Sequence, residues 1–273
     1  MALSYGAADF LGGLTSRRLD VVVVVQTSQF VGLAGLAVVV VLLPGQEVLA
    51  PDLVRGAAAG TAGMVGLVLL YRGLAVGAMS IVAPVTAVGA AVLPLVWGLT
   101  GGERPDGSAL LGVALALAGV ALVSSPATEG VAVPGRAREV ALALLAGTAF
   151  GVLFILYAGT SSDSGLWPVV AGRVASTAIV TIGLVAVRHH RPRLPPTGTR
   201  ALIVGAGVFD VVANGLFVYA TRAGLLSVVA VLSSLYPATT VVLARVVLHE
   251  RTDRRQQVGL GAALAGVVLL AVS

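Results

Sequence analysis

Long uninterrupted apolar runs constrain this chain more than any other feature. A hydrocarbon core about 30 Å thick is crossed by about 20 apolar residues in helical form, and ten runs approach that length. They cover roughly residues 2–16, 21–43, 53–76, 80–99, 108–124, 139–160, 166–187, 200–222, 227–249 and 256–272, parted by charge, proline or glycine clusters. In lipid a backbone must satisfy its own polar groups, so runs of this length predict helices. Composition agrees: 58% of the 273 residues are hydrophobic and 11% are charged, against about 25% charged in a soluble domain. The 17 basic residues are all Arg and sit singly or in small groups between the runs. That is the distribution of membrane-loop charges, not of a nucleic-acid-binding face. With no cysteine, disulfide staples and thiolate metal sites are excluded. The expected surroundings are a lipid bilayer, with no nucleic acid, metal or cofactor. The first run is short, about 22 Å as a helix before Arg17 and Arg18. No basic segment precedes Leu3, so a cleavable signal peptide is not expected.

The chain repeats itself. A shift of 147 positions lays Glu103, Arg104 and Asp106 on Glu250, Arg251 and Asp253, and gives ten identities in the twenty pairs from residue 103 to 122. Upstream, Gly60, Gly77 and Ser80 fall on Gly207, Gly224 and Ser227, and at a nearby offset Tyr5-Gly6 falls on Phe150-Gly151. Two five-helix halves are therefore predicted, over residues 1–125 and 137–273. An odd number of crossings per half turns the second upside down relative to the first, which is the inverted-repeat plan of secondary transporters. The fold class expected is all-α integral membrane, with ten transmembrane helices as two inverted five-helix repeats.

The tract SYGAADFLGGL near the start, with the paired GERPDGSALLGVALALAGVALV and HERTDRRQQVGLGAALAGVVLL that close the halves, resembles the two EamA-like domains of the drug/metabolite transporter superfamily. The duplicated Glu-Arg before a glycine-rich helix is the most specific part. The resemblance implies a ten-helix permease of the inner membrane that exports or exchanges a small metabolite, amino acid or drug.

Ionisable residues within apolar runs are functional candidates by default. Asp210 falls near the middle of the eighth run with Asn214 one turn on, on the same face. This pair reads as a substrate-amine or proton site, or as a carboxylate held in a structural ion pair with Arg173 of the seventh run. Arg173 resembles the Arg that EamA-like domains often carry in the second helix of a repeat; the first half has Gln29 there. Asp9 reads as a second site carboxylate or as a residue near the headgroups. Pro84 and Pro94 in the fourth run and Pro237 in the ninth each remove an amide donor, and interrupted helices mark binding sites in transporters. Ser233, Tyr236 and Thr240 share the face around Pro237 and complete the expected cavity lining. Gln26, Thr27, Ser28 and Gln29 are expected to serve helix packing. The small-residue ladders Gly112, Ala116, Gly119 and Gly259, Ala263, Gly266 predict scaffold contacts or a homodimer interface.

The loops after the odd-numbered runs hold twelve Arg and the alternate loops three, which alone puts both termini outside; the resemblance implies both inside. An intramembrane enzyme would need a nucleophile with a base, yet His189, His190 and His249 fall in loops or at a helix end. The expectation is a non-enzymatic transporter of a small-molecule substrate, working by alternating access around a midplane cavity, with a non-transporting scaffold or sensor as the alternative.

Overall fold

The computed structural model describes residues 1–42, 46–76, 79–123, 136–186, 196–248 and 254–272. Among them are eleven helices and no strand. The first half holds α1 (Ala2–Ser16), α2 (Val21–Leu42), α3 (Ala50–Val76), α4 (Met79–Thr100) and α5 (Gly107–Val123). The second holds α6 (Arg136–Ala158), α7 (Trp167–Ala186), α8 (Thr197–Ala223), α9 (Leu226–Ser233), α10 (Tyr236–Leu248) and α11 (Arg254–Val272). Five spans are long and apolar enough to cross a membrane: Val21–Leu42, Ala50–Ala75, Arg138–Ala158, Trp167–Val185 and Thr197–Ala223. Shorter apolar helices accompany them at Val85–Thr100, Gly107–Gly119 and Leu226–Thr240. Val41, Ile182, Val185 and Val246 are exposed on the outer helix faces, an apolar exterior suited to lipid tails. The Glu250-Arg251-Asp253 copy of the repeat, and His189, His190 and His249, lie outside the described residues.

Proline does not act as the sequence suggests. Pro84 and Pro94 were expected to interrupt the fourth helix, but α4 runs unbroken through both. One missing donor leaves the neighbouring main-chain bonds of a helix in place, and surrounding helices make the loss tolerable in a membrane. The ninth run does break, between Ser233 and Tyr236, where Pro237 falls in the first turn of α10, a position at which its lost N–H is an orphan in any case. Two serines favour the break by returning their hydroxyls to the chain: Ser233 Oγ donates to Val229 O at 2.8 Å and Ser234 Oγ to Val231 O at 2.8 Å.

Helices of one half pack on helices of the other. α3 lies against α6 and α7, while α8 lies against α1 and α2; α4 contacts α6 and α9, α10 contacts α1, and α5 contacts α11. Glycine permits the closest crossings. A Cβ placed on Gly60 of α3 would fall on the backbone of Gly172 in α7. One on Gly266 of α11 would sit 2.8 Å from Gly112 O and 2.7 Å from Ala116 N of α5, so the two small-residue ladders meet inside the chain as scaffold.

The loops at one end are tied together. Ser161 N and Ser164 Oγ donate to the Asp52 carboxylate at 2.9 and 2.6 Å, Leu166 N donates to Gln46 Oε1 at 2.7 Å, and Arg222 donates to Gly165 O at 2.7 Å. Beside them Glu103, in the loop after α4, accepts from Leu226 N at 2.9 Å and Ser227 N at 3.0 Å. A residue of the first half thus caps the first turn of α9 in the second, placing negative charge at a helix N-terminus. Replacing Glu103 with Ala should cost about 1–2 kcal/mol. It should also speed amide exchange at Leu226 and Ser227; unchanged exchange there would show that the carboxylate is not the cap.

Candidate functional site

A central cavity opens among the middles of the helices. Polar groups concentrate there. Arg173 of α7 is buried and donates from its two terminal nitrogens to Gln29 Oε1 of α2 and to the Asp210 carboxylate of α8. Asn214, one turn beyond Asp210, donates through Nδ2 to Asp210 O at 2.8 Å and accepts from Tyr5 Oη of α1 at 3.1 Å. The chain Tyr5–Asn214–Asp210–Arg173–Gln29 therefore stitches four helices across the middle of the protein. A guanidinium out of water needs several acceptors to be tolerated, and the carboxylate and the amide supply them.

Asp9 stands one helical turn beyond Tyr5 and also lines the cavity. It is 7% exposed. No described residue donates a hydrogen bond to its carboxylate or pairs with it. Aromatic rings complete the wall: Tyr5 and Phe154 lie 6.0 Å apart between centroids, and Phe154 stacks on Phe217 at 4.3 Å.

The other expected lining residues fall differently. Tyr236 is in the wall and donates from Oη to Ala83 O at 3.2 Å. Ser233 and Thr240 are buried behind it; Thr240 Oγ1 donates to Gly6 O at 3.3 Å and to Tyr236 O at 3.2 Å. Both hydroxyls are spent on helix contacts. Pro94 and Pro237 are not among the described residues of the wall, although Ala90 of α4 is; the Pro84 side chain lies outside the described residues. Gln29, expected to serve packing, does bridge α2 to Arg173 of α7, and it also faces the cavity. The signal was in the family resemblance, which sets Gln29 at the position that Arg173 holds in the second half. Tyr5 and Tyr157 also enter the wall; aromatic residues at helical spacing carry no mark that separates wall from core.

Positions matched by the internal repeat meet across this space. Gly63 and Asp210, and Leu67 and Asn214, are 147 residues apart and all four line it, as do Tyr5 and Phe150 at the nearby offset. Met64 stands both in this wall and in that of a groove between α2, α3 and α7, which reaches Asp20 and Arg72 at the end away from the tied loops.

A crystal structure of another protein superposes with a TM-score of 0.75 at 16% sequence identity, over 99% of this chain and 95% of that one. At that identity the likeness is one of fold. No curated protein matches the chain. Residues 137–272 match the model of the EamA-like transporter family.

Proposed function

From the EamA-like transporter family, to which residues 137–272 belong, and from a multi-pass helical membrane protein built around a polar cavity, we propose that this chain moves a small molecule across the cell (inner) membrane by alternating access. In this reading α9 and α10 form one broken crossing, and the two halves are inverted five-helix repeats. The packing supports it: exchanging α1, α2, α3, α4 and α5 for α6, α7, α8, α9–α10 and α11 turns most contacts between halves into others that are present, those of α5 with α9 and α10 being the exceptions. The observation that carries the proposal is the cavity itself, walled by matched positions of both halves and holding an ion pair at mid-depth. Rocking of two equivalent halves about such a site exposes it to each face in turn. The groove past Met64 is the approach from one side, and the tied loops are the closure on the other.

Topology and transport are tested separately. Gly107 and Arg254, the first residues of α5 and α11, are 147 apart and exposed. In a chain without cysteine, Gly107→Cys and Arg254→Cys should be labelled by an impermeant maleimide from opposite faces of the membrane. Labelling from a single face would end the inverted-repeat reading. For transport, untargeted comparison of culture medium with and without expression of the chain should reveal exported solutes, and counterflow of those solutes in liposomes should be saturable. A chain that supports no solute flux would be a scaffold or sensor instead.

A further inference from the structure

The cavity is lined by two acidic side chains and one basic one. Asp210 and Arg173 pair with each other, and Gln29 and Asn214 complete their bonding. Asp9 remains, buried, facing the same space, with no hydrogen-bond or ion-pair partner among the described residues. Asp9 is thus the acidic group of the cavity that no basic side chain balances. A carboxylate withdrawn from water without a counter-charge is costly, so Asp9 requires either a proton or a cation from outside the chain.

We infer that the unpaired Asp9 carboxylate is the cargo-recognition group, and that the cargo is a small organic cation with an apolar or aromatic body. The inference rests on the transport reading for the word cargo, but the binding chemistry stands without it. The wall chemistry suits such a molecule: Tyr5 lies a turn away on the same helix, Phe154 packs against Tyr5, and Tyr157 and Tyr236 also line the space. Aromatic faces attract ammonium groups as well as apolar surface. An anionic cargo would have to displace Asp210 from Arg173 while sharing the cavity with Asp9, and both effects oppose it. The Asp210–Arg173 pair is then a positioning element: it holds Asn214 and Tyr5 in place, and through Tyr5 the helix α1 that presents Asp9.

The test compares two probes of similar size and opposite charge, trimethyl(2-phenylethyl)ammonium and 3-phenylpropionate, on the purified full chain in detergent by titration calorimetry. The wild type should bind the ammonium and not the carboxylate. Asp9→Asn, whose amide keeps the shape and loses the charge, should weaken ammonium binding about tenfold or more, and Asp9→Glu should recover part of it. Elution as a monodisperse species and an unchanged helical circular-dichroism spectrum establish that Asp9→Asn is folded. Equal ammonium binding by wild type and Asp9→Asn, preference for 3-phenylpropionate, or binding of neither probe would overturn the inference. Flux of the permanently charged ammonium into liposomes separates this from the broader proposal. Binding that depends on Asp9 without flux would sink transport and leave the cation site standing, whereas flux of anionic solutes alone would do the reverse.

Discussion

Replacing Asp210 with Asn is expected to destabilise the protein by about 3–5 kcal/mol, the usual cost of removing one partner from a buried ion pair. Arg173 is only 6% exposed, and with an amide at position 210 it faces only neutral side-chain acceptors, Gln29 among them, which cannot balance its charge. The measurement is unfolding in mixed micelles, followed by loss of helical signal against increasing denaturing detergent. The companion double variant Asp210→Asn with Arg173→Gln should recover most of the loss, because it removes the stranded charge and leaves amides that can bond to one another. A double variant as unstable as the single one would show that the charge pair is not what Asp210 supplies.

The second large effect should come from Gly60, where α3 crosses α7. A methyl group there falls on the main chain of Gly172, and backbone, unlike the tip of a side chain, has no rotamer by which to yield. Gly60→Ala should cost about 3 kcal/mol, the upper part of the range for overpacked sites. Gly35→Ala is the control: it adds the same methyl in α2, where nothing lies within 4 Å, and should be neutral or slightly stabilising, since Ala favours helix over Gly. The same unfolding assay reads both. Equal stability of the two variants would show that the α3–α7 crossing does not depend on close approach.

Much of the helical layout was legible because run length in lipid leaves little freedom. The first run and α1 share the bounds Ala2–Ser16, and the others agree to within three residues, apart from the ninth. The systematic error has a physical origin. α3, α6 and α8 each begin three residues before the apolar run does, at Ala50, Arg136 and Thr197, because polar and charged residues extend a helix past the hydrocarbon boundary. The break in the ninth run was expected from Pro237, but its placement depends on the serine pair before it. The opposite outcome in α4 follows from neighbours that no single-residue rule sees.

Within the candidate site, the ionisable residues declared themselves by being costly in lipid: Asp9, Asp210 and Arg173 all face the cavity. What sequence could not tell was which acid Arg173 neutralises, since that depends on the side-by-side placement of α7 and α8. Gln29 was hidden by its company, because three other polar residues in the same turn of α2 dilute its signal. Glu103 was visible as half of a duplicated pair, but its duty emerges only where the loop after α4 reaches the first turn of α9.

If the halves alternate as proposed, the fastened loops bias the protein at rest. Bonds from Asp52, Gln46, Arg222 and Glu103 hold that mouth shut, and in the proposed cycle they are exchanged for water when it opens. A solute that binds both states equally leaves that imbalance untouched, however tightly it is held. Only one that prefers the unfastened arrangement lifts its population, by a factor of ten for each 1.4 kcal/mol or so of preference. On that proposal the layer of loop contacts acts as a selectivity threshold: being held in the pocket is not enough to be carried.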